Sequence, residues 1–482
     1  MNNISDLKPE KLWSIFYDLT QIPRPSKAEQ KAVEFVRSFG EKLGLETIQD
    51  KAGNVIIKKP ARSGNENKPG IILQGHLDMV PQKNSDTEHD FEKDPIKAFV
   101  DGEWVAAKGT TLGADNGIGV AAALAVMAAD NINHGPVEAL LTVDEETGMT
   151  GAFNLEEGIL EGKILINLDS EDEGELYIGC AGGVNTSARF DFINESVPDG
   201  MKAYKLGVSG LKGGHSGLDI HLGRGNSNQL LIRFMYNAFK KHGLRLAEID
   251  GGSLRNAIPR ESFAIVTIPE KYESEFLRSV EEFRSIYQAE LGSVEPGLVF
   301  LAEPVETPRL IIDRNTQKNL IKSVYGLPNG VIRMSADTPG VVETSSNLAI
   351  IKSGKDHIEV LCLLRSSVDT AKESLAKSIQ CVFELAGAEV VHDGDYPGWK
   401  PDVDSPILTT MKKVYQKDFG KVPEVKVIHA GLECGIIGDT YKGLDMISFG
   451  PTIRYPHSPD EKVHIESVKK FWDFLVSTLE NI

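Results

Sequence analysis

The sequence predicts an α/β protein with a mostly parallel central sheet flanked by helices, interrupted by an inserted α+β domain. Three observations carry this expectation. Ile71-Ile72-Leu73, Ala139-Leu140-Leu141-Thr142-Val143 and Ile164-Leu165-Ile166-Asn167-Leu168 are short apolar runs. Such runs suit strands buried on both faces of a helix-covered parallel sheet. Each run ends in polar residues, His76 and Asp78, then Glu145 and Glu146, then Asp169, and open α/β sheets bind ligands outside those carboxyl ends. Finally, one further histidine segment, Tyr455-Pro456-His457-Ser458-Pro459, lies far beyond the others, which end by about Gly183. A domain-sized stretch must intervene and return the chain to the same edge.

Taken in order, residues 1–183 form the first part of the main domain. Met1 to Ser26 is amphipathic and mixed in charge, without the apolar core of a secretion signal. Ser63 to Pro69 reads as a surface loop. In Gly75-His76-Leu77-Asp78, alternation along a strand points His76 and Asp78 the same way. A carboxylate so placed can accept the second ring N–H of a ligating histidine. Gly117-Ile118-Gly119-Val120-Ala121-Ala122 matches a dinucleotide fingerprint, but that motif must follow a buried strand. Its lead-in here, Lys108 to Asp115, is polar and turn-like, so the glycines are expected to start a helix from Ile118 to Ala129 packed closely on the sheet. Glu145 and Glu146 are adjacent and would diverge in extended backbone. Glu171-Asp172-Glu173 reads as a solvated loop.

Residues 184–387 change texture. Arg189 to Phe192, Ala203 to Val208, Ser262 to Thr267 and Ile358 to Leu363 read as half-alternating strands, and Ser227 to Lys240 and Asp369 to Ala386 as amphipathic helices. That mixture suggests an antiparallel sheet layered on helices. Residues 388–482 are expected to re-enter the main domain near Ala388-Glu389-Val390-Val391. His464 is expected to cap or pack near the last helix.

The segments that hold His76 and Asp78, Asp115, Glu145 and Glu146, Asp169, and His457 together offer nitrogen and oxygen ligands for two metal ions, plus two spare carboxylates for acid–base work. Zinc takes such ligands, and a catalytic site keeps one position open for water. Two ions about 4 Å apart can clamp an attacking water and a scissile carbonyl oxygen. A carboxylate that binds metal is a poor base, so a second, free one is required to take the proton. The set reads as a metal-dependent hydrolase, and the absence of a G-x-S-x-G elbow disfavours a serine hydrolase.

These segments resemble the M20 metallopeptidase family, and within it the aminoacyl-histidine dipeptidase branch. The resemblance spans nearly the whole chain and is most specific over Gln74 to Pro81, Gly109 to Val120, Thr142 to Ala152, Asn167 to Gly183 and Tyr455 to Glu466. It implies a zinc-peptidase-type catalytic domain with an inserted lid or dimerisation domain. It implies that His76, Asp115 and Asp169 hold one divalent ion and Asp115, Glu146 and His457 the other. The ions would be Zn2+, with Co2+ or Mn2+ as alternatives. Asp115 would bridge them, across a cis peptide to Asn116 in many members. Asp78 would orient His76, and Glu145 would be the general base that activates a metal-held water. By the same resemblance His215, in Gly213-Gly214-His215-Ser216-Gly217, would bind the oxyanion, entering from the neighbouring subunit in several relatives. Asn256 would bind the substrate amide and Arg365 its carboxylate. Glu433 lies in a segment that resembles a family loop near the site. The implied activity is hydrolysis of short unblocked peptides, including Xaa-His dipeptides. A tripeptidase, an N-acyl amino acid deacylase and a non-catalytic zinc-binding relative are the alternatives.

Composition narrows the setting. A net charge of −18 and a pI near 5.2 argue against nucleic acid or anionic membrane partners. No stretch approaches the roughly 18 apolar residues of a membrane span. Cys180, Cys362, Cys381 and Cys434 lack metal-type spacing and fit reduced thiols in a cytoplasmic enzyme, and the family resemblance implies a homodimer.

Overall fold

The computed structural model describes residues 4–482, so the first three residues of the N-terminal stretch lie outside it. The chain divides into two compact units. One comprises residues 1–180, 399–427 and 432–482, and the other residues 181–398 and 428–431.

The first unit is built on an eight-stranded sheet with a parallel centre. Ile71–His76 runs parallel to Val137–Thr142 on one side and to Ile164–Asn167 on the other, and Asp445–Ser448 extends the parallel block. Antiparallel strands close the edges, including Glu46–Gln49 against Val55–Lys59. Every residue of Ile71–His76 and Val137–Thr142 is buried, as expected of strands covered on both faces. The helix Ala114–Ala128 is buried almost all round, which is how a helix enclosed by sheet and neighbours reads.

This helix begins ahead of the expected Ile118, because the turn bearing Asp115 winds directly into it; Asp115 and Asn116 keep non-helical dihedrals and are joined by a cis peptide. The glycines before and within it make room for one side chain. A Cβ at Gly75 or Gly119 would run into the amide of Asn116, whose Nδ2 donates to Leu168 O at 2.7 Å. Of the fingerprint-like glycines, Gly119 serves close packing against Leu168 O just beyond Ile164–Asn167, and Gly117 packs against Arg24 and Phe16.

The second unit contains a nine-stranded sheet. Its centre is the antiparallel set Gly182–Asp191, His357–Ser366 and Val342–Ser353, and Ser227–His242, Glu273–Leu291, Arg314–Gly326 and Asp369–Leu385 supply its helices. A separate apolar core forms here from residues such as Phe234, Phe276, Phe300 and Ile379. Glu389–Tyr396, expected to re-enter the main domain, instead pairs with Gly182–Asp191 at the edge of this sheet. Its side chains are mostly exposed, so pairing rather than burial places it, and the chain returns to the first unit only at Trp399.

Candidate active site

The first unit gathers the predicted ligands at the carboxyl edge of its parallel strands. His76 Nε2 lies 3.1 Å from Asp115 Oδ1 and 3.3 Å from Asp169 Oδ1. His457 Nε2 lies 3.2 Å from Asp115 Oδ2 and 3.0 Å from Glu146 Oε2. Each ring nitrogen thus faces two carboxylates, although one nitrogen has a single hydrogen to give. The two oxygens of Asp115 are divided between the two groups. His76, Asp115 and Asp169 form one cluster, and Asp115, Glu146 and His457 another, with candidate ligand atoms of each within 4.8 Å of one another.

Local backbone aims these groups. His76 is the last residue of its strand, and its Nδ1 lies 3.3 Å from Asp78 Oδ1. Asp78 is held in turn by Ser26 Oγ at 2.8 Å and by the N–H groups of Glu145 and Glu146 at 3.0 and 3.2 Å. The two glutamates do not lie in extended backbone. Asp144 takes a left-handed conformation, φ 54°, and Glu145–Gly148 forms one helical turn. That turn separates the adjacent side chains by its own rotation, about 100° per residue. His457 also has a positive φ, 57°, a conformation found where a loop is forced to present a side chain.

The donor set fits divalent cations. Glu146 Oε1 is buried without a hydrogen-bond partner, which costs free energy unless something positive meets it, and Asp169 Oδ1 meets only the His76 ring that Asp115 also faces. The histidines respond to that acidity. Hydrogen bonds and charge from Asp115 and Glu146 push His457 up to about 11. Burial opposes protonation of His76, but Asp169, Asp115 and Asp78 together still raise it well above its ordinary value. Burial lifts Asp169 to about 7, against the pull of His76. Metal binding displaces such protons.

Glu145 also lies within reach of His76 and Glu146. Burial raises its carboxyl well above the usual range; His76 opposes this, and Asp169, Glu433 and Glu146 add to it. Glu433 is 1% exposed; its Oε2 accepts from Gln74 Nε2 at 2.6 Å and Thr142 Oγ1 at 2.7 Å, and its Oε1 has no partner. Glu171 is partly buried rather than solvated, and burial beside Asp115 and Asp169 raises it to about 8. His464 accepts from Ser467 N at 3.2 Å as the cap of Ile465–Asn481. Three residues carry no residue-type signature in the sequence: Arg24 and Glu461, whose side chains bond to backbone, and Ser26, which bonds to Asp78.

The remaining three predicted residues lie in the second unit. His215 and Ala257 face each other across a two-residue antiparallel ribbon, which puts His215 beside Asn256. Asn256 is exposed, and its carbonyl accepts from Ser216 N at 2.8 Å. His215 Nδ1 accepts the N–H groups of Gly217 and Leu218 at 3.2 and 3.0 Å. Burial, then the charge of Arg365, lowers His215 to about 4. The neutral ring therefore carries its hydrogen on Nε2. Arg365 is 5% exposed and donates from Nη1 to Tyr396 Oη at 2.8 Å, leaving Nε without a partner. His429, which sequence reading left unassigned, bonds through Nε2 to Ser345 Oγ at 2.7 Å, and Ser345 pairs with Arg365 across the sheet.

Histidines and carboxylates meet at one sheet edge in two clusters that share Asp115, and the chain is a metallopeptidase of family M20/M25/M40, whose model matches residues 72–481. Over all 482 residues it is 46% identical to the cytosol non-specific dipeptidase of Escherichia coli (strain K12), covering 99% of that protein. The structure of aminoacylhistidine dipeptidase from Vibrio alginolyticus is 49% identical, with a TM-score of 0.95 over the full chain and 98% of that one. A tripeptidase from Staphylococcus aureus, 16% identical with a TM-score of 0.62 over 98% of both chains, shares the fold. Among the described residues no helix is long and apolar enough to cross a membrane.

Proposed function

We propose that this enzyme is a dipeptidase for short unblocked peptides, Xaa-His dipeptides among them, working with two divalent ions, most simply Zn2+. The names and full-length identity of the two dipeptidase relatives support the substrate class. The division of Asp115 between two histidine-carboxylate groups is the observation that carries the mechanism. His76, Asp115 and Asp169 would hold one ion, and Asp115, Glu146 and His457 the other. The ions would polarise the scissile carbonyl and make water acidic enough to give up a proton near neutral pH.

Glu145 takes that proton and returns it to the leaving amine. Its raised pKa suits a proton acceptor, and Glu146 is already committed to His457. Asp78 keeps His76 in the tautomer that presents Nε2. The second unit is read as the lid and dimerisation domain of a cytoplasmic homodimer. In it His215 offers an Nε2–H to the developing oxyanion, Asn256 the substrate amide contact, and Arg365 a planar fork for the free carboxylate.

A panel of dipeptides, tripeptides and N-acyl amino acids, assayed with and without chelator, tests the reading. Dipeptides should be cleaved fastest, activity should vanish on chelation, and Zn2+, Co2+ or Mn2+ should restore it. Faster turnover of tripeptides or acyl amino acids would overturn the substrate assignment.

A further inference from the structure

Arg24 and Glu461 are each 2% exposed and belong to neither ligand cluster. Between them they grip the turn that carries Asp115. The Glu461 carboxylate accepts four consecutive backbone N–H groups. Oε2 takes those of Leu112 and Gly113 at 2.7 and 2.9 Å, and Oε1 those of Ala114 and Asp115 at 2.7 and 3.2 Å. An ionised carboxylate has about four lone-pair sites, so this one is filled and has nothing left for a metal or a substrate. From the other side Arg24 Nη2 donates to Gly113 O at 2.5 Å, while Nη1 donates to Leu77 O and Asp78 O, both at 2.9 Å. Gly113, at φ 71°, and Gly117 make the space: a Cβ on either would come within 2.6 and 2.7 Å of Arg24 Nη2.

The connections run through the ligand-bearing segments themselves. Glu461 lies four residues beyond His457, and Leu77 and Asp78 follow His76 directly. One guanidinium therefore ties the His76 strand end to the Asp115 turn, and one carboxylate ties that turn to the His457 loop. Arg24 is also a buried positive charge beside Glu461, Asp78, Asp115 and Glu146, offsetting the repulsion among those carboxylates.

We propose that Arg24 and Glu461 are positioning residues that fix the Asp115 carboxylate between two metal positions, an inference that rests on the metal assignment above. The plainer alternative is that Glu461 only caps the helix Ala114–Ala128, a role that would stabilise the fold without tuning the metal site. Glu461→Gln keeps size and shape but turns an N–H donor toward backbone N–H donors. Arg24→Lys keeps the charge but loses the fork that reaches three carbonyls.

The test uses the full-length enzyme stripped of metal. Zn2+ is titrated in competition with a chromophoric chelator, Co2+ uptake is followed by its visible absorption, and metal-free thermal unfolding is recorded alongside. Wild type should take up two ions. Each variant should bind the pair ~10–100-fold more weakly, the usual scale for losing a partner that orients a ligand, with altered Co2+ bands and with metal-free unfolding still cooperative, though at lower stability because buried backbone groups lose partners. A wild type that binds fewer than two ions sinks the metal assignment itself. Wild-type affinity and Co2+ spectrum in Glu461→Gln, with two ions bound by wild type, overturn this inference alone. Should Glu461→Gln fail to fold, Arg24→Lys decides by the same readouts, and failure of both to fold without metal reduces the pair to a structural role.

Discussion

Lowering the pH from 7 to 5 should cost the second unit stability through one buried ring, His429. It is 7% exposed, bonded through Nε2 to Ser345 Oγ, and faced by Arg365, His215 and His221. Burial, then the charge of Arg365, lowers its pKa from 6.5 to about 3. The sign follows from linkage: the unfolded chain binds a proton below 6.5 that the folded ring refuses until about 3. The neutral ring's stabilisation is therefore complete above 6.5 and lost as pH falls through that value. Between pH 7 and pH 5 the loss from this group comes to about 2 kcal/mol, at 1.36 kcal/mol per unit of pKa difference. Chemical denaturation of the chelator-treated enzyme, followed by circular dichroism at both pH values, measures it. His429→Gln keeps a hydrogen bond to Ser345 and removes the titration, so its stability should fall by about 2 kcal/mol less than wild type over that interval. Other titrating groups, His215 included, are common to both proteins and cancel in the difference. Equal losses in the two proteins would refute the claim that His429 is held neutral.

Glu145→Gln should retain two metal ions and lose at least ~100-fold in turnover, the scale of general acid–base catalysis; metal analysis with kinetics checks it, and near-normal turnover would remove the role. Asp115→Ala should lose at least one ion and nearly all activity, because both clusters share this residue; elemental analysis after dialysis shows whether two ions survive. Arg365→Ala should raise KM on the order of tenfold or more for free dipeptides, by loss of a charge-assisted contact, and far less for C-terminally amidated ones. An equal effect on both would leave Arg365 with only its bond to Tyr396.

What could be read from the chain, and what could not, divides along a physical line. Side-chain chemistry at strand ends is visible in sequence, because apolar runs mark the strands and His, Asp and Glu announce themselves where the runs stop. His76, Glu146 and Asp169 are legible for that reason, Asp115 and His457 through their own acidic and histidine segments and the family resemblance, and the structure brings all five together. Residues that act on backbone are not visible. Arg24 and Glu461 make their bonds to carbonyl and N–H groups that every residue possesses, so neither spacing nor composition points to them. Local conformation is hidden for a related reason. Nothing in Asp144-Glu145-Glu146 foretells that Asp144 turns left-handed and converts an expected extended segment into a helical turn. Strand pairing is a third case. Ala388-Glu389-Val390-Val391 reads as the return to the main domain, yet nothing local in the segment says which sheet receives the strand it begins. Here Gly182–Asp191 lies beside it, and Gly182 and Gly183 decide the fit. A Cβ on either glycine would meet Tyr396 within the second unit. Gly183 thus leaves room for the Tyr396 ring and Gly182 for the backbone of Tyr396 to Gly398, contacts over a sequence separation that no local pattern spans.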